Sequence, residues 1–234
     1  MDSVVRRFLF LVLAGTVLGP SAIQAAPVSP TGRGFVANRG QVESSVRYYG
    51  ASDIPLSDTG RQQMLRVRQA VRDESFDTVF TSCLRRSIEG AEIITAGGNS
   101  LTAVAAFDEI NFGRWEGWTR EEIACRDPED FRFWQEKTDS FRYPDGDSRA
   151  DFHARVASGL AEVMRNPLGD SVLMVLHRGV ISVILSELLA LAQDDRDRIA
   201  IDLASIHVVL RNGDGWQPHI LDKVDHLTPF DEGQ

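Results

Sequence analysis

The chain has 234 residues, 43% of them hydrophobic and 25% charged, which is enough to bury one good core and fits a single domain. A formal charge of −9 excludes nucleic-acid phosphate binding as a main activity. Only Cys83 and Cys125 are present, which excludes a disulfide scaffold and a Cys-rich zinc site. Two free or buried thiols are expected, because the cysteines fall in separate elements.

In chain order, Arg6-Arg7, an apolar run from Phe8 to Leu18, the breaker Gly19-Pro20 and the small residues Ala22, Ala25 and Ala26 have the layout of an export signal. Its apolar stretch is too short for a permanent membrane span. Residues 1–25 are therefore expected to be a signal peptide released near Ala25, with a buried helix or strand as the alternative. On that reading 26–33 is a short linker, 34–234 is the domain, and the mature protein is secreted or periplasmic.

Gly34 to Ala37 is a candidate first strand. Leu56-Ser57-Asp58-Thr59-Gly60 opens a helix with Ser57 as N-cap and Met64, Val67, Ala70 and Val71 at helical spacing. Phe76 to Thr81 is a compact strand, and a helix runs from Ser82 to about Ala96, where Gly97-Gly98-Asn99 stops it. Leu101 to Ala106 is a further strand. From about 107 to 148 the chain turns charged and aromatic, with three of the four tryptophans at Trp115, Trp118 and Trp134. Short helices are expected there near Arg120 to Cys125 and Pro128 to Lys137, as an insertion outside the sheet whose aromatics either only pack or form a helical lid over an organic substrate group.

An amphipathic helix then presents Phe152, Val156, Leu160, Val163 and Met164 on one face. Ser171 to Leu176 is almost wholly apolar, as a parallel strand covered on both faces should be. Val180 to Leu191 is the helix after it, and Ile206 to Arg211 with Trp216 to Leu221 form a hairpin. Strands alternating with helices predict a three-layer α/β fold with a mainly parallel sheet.

Six segments occur in an order that resembles the histidine phosphatases, the phosphoglycerate-mutase-like superfamily. Asp53-Ile54-Pro55-Leu56-Ser57-Asp58-Thr59-Gly60 is similar to the family's Asp-x-Pro-Leu-(Ser/Thr)-x-x-Gly. Thr81-Ser82-Cys83-Leu84-Arg85-Arg86-Ser87 resembles its Ser-x-Leu-x-Arg-Ala turn. Glu109 with Phe112-Gly113-Arg114-Trp115-Glu116-Gly117 matches Glu-x-x-x-Gly-x-(Trp/Leu)-Glu-Gly. Pro144-Asp145-Gly146-Asp147-Ser148 resembles Pro-x-Gly-Glu-Ser, with Asp for Glu. His177-Arg178-Gly179 resembles His-Gly-Gly, and Asp225-His226-Leu227 resembles the closing Asn/Asp-x-His-Leu. The resemblance covers Gly40 to about Leu227.

The resemblance implies a phosphoglycerate-mutase-like fold and roles for particular residues. Arg86 falls on the phosphate-binding arginine, Glu109 on the proton donor and His177 on the second catalytic histidine. It also implies no metal or organic cofactor, and an anionic small molecule, a phosphate ester first among them, as ligand. No nucleic-acid partner and no stable membrane span are expected.

The family's Arg-His-Gly at the end of its first strand reads here Asn38-Arg39-Gly40. An arginine stays protonated and has no lone pair to attack phosphorus, so Arg39 cannot carry a phosphoryl group as the histidine does. Sliding the strand by one puts Gly40 on the histidine position and flips every strand side chain. Asn38 and Arg39 remain candidate anion contacts with Arg86 and His177.

Each retained residue also has a plain reading. Arg86 could be a solvated helix-start arginine and Glu109 an exposed loop carboxylate. His177 ends an apolar strand directly before a helix, where open α/β sheets bind ligands and a helix N-terminus offers N–H groups to an anion. His153, His207 and His219 read as structural or surface residues.

Three functions fit: anion binding without covalent transfer, with Arg39, Arg86 and His177 as contacts; a phosphomonoesterase using His177 and Glu109 in a rearranged mechanism; or acid/base chemistry of isomerase or lyase type.

Overall fold

The apolar run Ser171-Val172-Leu173-Met174-Val175-Leu176 forms a strand in which residues 172–176 are all completely buried. Val172, Met174 and Leu176 join one hydrophobic cluster and Leu173 and Val175 the other, so the pleat feeds two cores at once. The structure, a computed structural model, describes residues 6–12, 47–136, 141–166, 168–192, 199–213 and 215–227.

Six strands form one sheet: β1 Arg6–Val12, β2 Thr78–Thr81, β3 Leu101–Ala103, β4 Ser171–Leu176, β5 Ile206–Asn212 and β6 Gly215–Lys223, in the order β3-β2-β4-β1-β5-β6. The pairs β3–β2, β2–β4 and β4–β1 are parallel, while β1–β5 and β5–β6 are antiparallel. Helices α1 Asp58–Ala70 and α2 Arg85–Thr95 cover one face with Met64, Val67, Ala91 and Ile94. Helices α5 Arg149–Met164 and α6 Arg178–Leu188 cover the other with Phe152, Val156, Leu160, Ile181 and Ile184. The expected three-layer α/β fold with a mainly parallel sheet is the one observed.

Local signals explain most element ends. Ser57 caps α1 by accepting from Gly60 N at 3.0 Å, and Ser148 caps α5 by accepting from Asp151 N at 3.0 Å. Helix α2 ends on Ala96 in the left-handed region at φ 54°, followed by Gly97 at φ 70°. The strand expected to reach Ala106 stops at Ala103, and Ala105–Phe107 forms a 3-10 turn instead. The hairpin is observed, with a register irregularity near Val208.

The strand expected at Gly34 to Ala37 lies outside the described residues. The strand at the centre of the sheet is β1, paired to β4 from Arg7↔Ser171 to Val12↔Leu176 and to β5 from Arg6↔Arg211 to Leu11↔Ile206. These are residues the sequence reads as an export signal or, alternatively, as a buried strand. Phe8-Leu9-Phe10-Leu11-Val12 is aromatic and branched enough for a central strand, and a short apolar run has no period that separates the two uses.

The 107–148 insertion adds no strand to the sheet among the described residues. It contains α3 Arg120–Arg126, started by a Thr119/Glu122 capping box, and α4 Pro128–Gln135 with Pro at its first position. Trp115 is completely buried, with Trp134, Phe141 and Tyr143 around it at ring-centroid distances of 6.1, 5.8 and 5.6 Å. Trp115 Nε1 donates to Asp127 and Trp134 Nε1 to Tyr143, so these aromatics build the insertion's own core. Trp118 is half-buried beneath the Arg126 guanidinium. Cys83 and Cys125 are both exposed and unbridged.

Candidate functional site

Parallel strands β2 and β4 end side by side, and the residue that follows each enters the site. Ser82 follows β2 and His177 follows β4, with Ser82 Oγ 2.7 Å from His177 Nε2. Ser82 Oγ also accepts from Leu84 N at 3.2 Å, and Ser82 N donates to Ser87 Oγ, which donates to Val175 O. Among the described residues the one acceptor bonded to the Ser82 hydroxyl hydrogen is His177 Nε2. The proton of the neutral imidazole is thereby assigned to Nδ1. His177 is 4% exposed, and its pKa is held well below the ordinary value by burial first, then by the positive fields of Arg86 and Arg155.

Arg86 sits in the first turn of α2 and is also 4% exposed, so the solvated-arginine reading is set aside. Its Nη1 donates to Ser52 O at 2.8 Å and its Nη2 to Gly50 O at 2.6 Å. Among the described residues no carboxylate pairs with it; Glu109, Glu116, Asp53 and Asp108 support its charge through space. A buried cation held by neutral carbonyls keeps guanidinium N–H groups for another anion.

Glu109 is held from three sides. The Ala105–Phe107 turn before it is clasped by Arg155, whose Nη1 donates to Ala106 O at 3.0 Å and to Asp108 O at 2.8 Å. Gly159 of α5 lets that turn pack closely, since a Cβ there would lie 2.4 Å from Ala106 Cβ. The carboxylate accepts from Ile110 N and Gly179 N, both at 2.9 Å. Burial raises its pKa against these two N–H bonds and the fields of Arg86 and Arg155. Glu109 is therefore a half-buried, hydrogen-bonded carboxylate, not an exposed loop one. The Gly179 N–H at the start of α6, expected to await an anionic ligand, is bonded to Glu109.

Arg86 thus lies within electrostatic reach of both His177 and Glu109, and the Gly179 N–H two residues beyond His177 holds the Glu109 carboxylate. Asn38 and Arg39 lie outside the described residues. Asp147 accepts from Asn111 N at 3.0 Å and from Arg155 at 3.3 Å, which makes the Pro144–Ser148 segment a brace for the turn carrying Glu109. Asp225-His226-Leu227 lies away from the site: His226 Nε2 meets Ala204 O at 2.9 Å and Arg66 of α1 donates to Leu227 O at 2.5 Å. His153 pairs with Glu187 at 3.4 Å, His207 is buried in β5, and His219 is exposed on β6. Among the described residues no three His, Cys, Asp or Glu side chains converge as a metal site.

Sequence reasoning assigned no role to Ser82, Arg155 or Glu116. Ser82 and Glu116 stand inside recognised segments, the only signal that could have pointed to them. Arg155 carries none, because the carbonyls it clasps, Ala106 O and Asp108 O, are distant in sequence.

Comparison with known proteins gives consistent findings. The model of the "Histidine phosphatase superfamily (branch 1)" matches residues 39–222. Phosphoserine phosphatase 1 of Hydrogenobacter thermophilus is 32% identical over 132 residues, covering 56% of this chain and 63% of that protein, so less than two thirds of the relative's length is spanned. The alpha-ribazole phosphatase of Shigella flexneri superposes with a TM-score of 0.72 at 19% identity, over 93% of this chain and 96% of that one. The mycobacterial glucosyl-3-phosphoglycerate phosphatase, solved with inorganic phosphate, gives 0.70 at 20% identity over 95% and 100%. These structural likenesses establish the phosphoglycerate-mutase-like fold.

Proposed function

Since the chain belongs to the histidine phosphatase superfamily yet carries no histidine before His153, we propose that it binds a phosphate ester or another anionic small molecule without forming a phosphohistidine. The observation that carries this reading is the pairing of that absence with buried Arg86 and His177 and half-buried Glu109 at the strand ends. The absence does not depend on which segment fills the first-strand position. Leu13-Ala14-Gly15, which follow β1, and Asn38-Arg39-Gly40 equally lack an imidazole.

In this reading Arg86 supplies fixed N–H donors and His177 Nδ1–H a further one, the first preorganised by backbone carbonyls and the second by the Ser82 hydroxyl before the anion arrives. Arg39 and Asn38 are proposed as additional contacts. Glu109 closes the pocket on the α6 side and is kept protonated to higher pH than an ordinary carboxylate, so it can donate to an anionic oxygen.

One observation favours a second reading. A half-buried carboxyl with a raised pKa, held two residues beyond a buried imidazole, suits a phosphomonoesterase in which Glu109 protonates the leaving oxygen and His177 orients or attacks. Calorimetric titration with inorganic phosphate, run beside steady-state hydrolysis of p-nitrophenyl phosphate, separates the two. Binding that disappears in Arg86→Ala, with no turnover in rigorously pure protein, supports the binding reading. Turnover abolished by His177→Ala supports the hydrolase, and no saturable phosphate binding sinks the first reading.

A further inference from the structure

Glu116 has no part in the chemistry above, yet its carboxylate organises the loop that holds Arg86. It accepts from Gly50 N at 3.1 Å to each oxygen, from Ala51 N at 3.0 Å, from Phe112 N at 3.0 Å and from Ser52 Oγ at 2.6 Å. On its other side the same loop turns Gly50 O and Ser52 O onto the two terminal nitrogens of Arg86.

The Gly50–Ala51 peptide is the link between them. A trans peptide is planar and its N–H and C=O point in opposite directions, so fixing one fixes the other. Here Ala51 N–H lies on Glu116 while Gly50 C=O lies on Arg86. Turning the peptide away from Glu116 necessarily turns its carbonyl away from Arg86. Gly50 has little room to compensate, because a Cβ there would fall 1.7 Å from Ile110 O. The loop is fastened to the insertion again by Gly117 N donating to Tyr48 O, Tyr48 N to Trp118 O, and Arg47 to Gly117 O and Glu122.

We propose that Glu116 is a positioning residue for the anion site: it sets the aim of the Arg86 guanidinium through the Gly50–Ala51 peptide and so couples the 107–148 insertion to anion binding. The coupling to binding rests on the reading that Arg86 contacts the anion; the aiming of Arg86 does not.

The test uses the full chain as wild type, Glu116→Gln and Ser52→Ala, the second retaining the backbone and removing one bond to Glu116. Two quantities are measured: affinity for inorganic phosphate by calorimetry, and the guanidinium 15N–1H signals of Arg86, assigned by their loss in Arg86→Ala. Glu116→Gln places an amide N–H against a loop donor and is expected to weaken phosphate about tenfold, with Ser52→Ala weakening it about threefold. The Arg86 signals should shift or broaden in both variants. If wild type binds no phosphate but the signals still respond, the anion reading fails and the positioning role stands. Arg86 signals that match wild type in the folded variants overturn the proposal, whatever happens to affinity. If Glu116→Gln does not fold, Ser52→Ala alone decides it.

Discussion

A methyl group at Gly179 would test the site with a single carbon. Its Cβ would fall 2.4 Å from Glu109 Oε1, which is the free end of a side chain, so the carboxylate must yield while the backbone need not. Gly179→Ala is expected to stay folded, lose about 1–2 kcal/mol with the Gly179–Glu109 hydrogen bond, and bind phosphate differently from wild type; urea unfolding and calorimetry check both. His177 gives a pH prediction with a definite sign. Its imidazole is neutral without ligand, and an adjacent anion favours the charged form, so binding takes up a proton and Glu109 pulls the same way. Sulfate, which does not titrate here, should bind more tightly as pH falls from 8 to 6; affinity constant or rising with pH refutes this. At this scale the sequence made Arg86, Glu109 and His177 legible because each stands inside a recognisable segment. It left their restraints unread, since the bonds from Gly50, Ser52 and Arg155 join residues distant in sequence.

Among the elements, β4 was fully legible because a six-residue apolar run has one stable place in such a fold, while β1 was ambiguous because its run serves a strand and an export signal equally. The β5–β6 hairpin was legible in outline, but not the buried polar chain at its base. Asp222 N–H donates to His207 Nδ1 at 3.2 Å, so Nε2 carries the proton and donates to Ser205 Oγ at 2.9 Å, and Ser205 donates to Asp202 O at 2.8 Å. Burial pushes the His207 pKa down to about 4, with Asp222 opposing. Unfolded, this imidazole binds a proton near pH 6.5; folded, it resists until about pH 4, so stability is full above the first value and is lost between the two. Lowering the pH from 7 to 5 should cost about 2 kcal/mol through His207, with His177 adding in the same sense. His207→Gln should flatten that slope in urea midpoints measured at both pH values, and an unchanged slope would exclude the assignment.

For the whole molecule, the decisive question concerns Arg6–Val12. Export with release near Ala25 remains a proposal, and a released chain would lack the strand that pairs with both β4 and β5. A variant beginning at Ala26 is therefore expected to lose cooperative unfolding, and the intact mass of protein recovered from an exporting host shows which form accumulates. Retention of a sharp transition in the shortened variant would mean that the sheet closes without β1. The position of this strand also bears on how the chain reaches its final form. Residue 8 must meet residues 172 and 209, so the middle of the sheet cannot be completed until the chain through residue 209 has left the ribosome. Contacts this distant in sequence make for slow assembly. During that interval the unpaired β1 segment is what a chaperone or targeting factor would meet first.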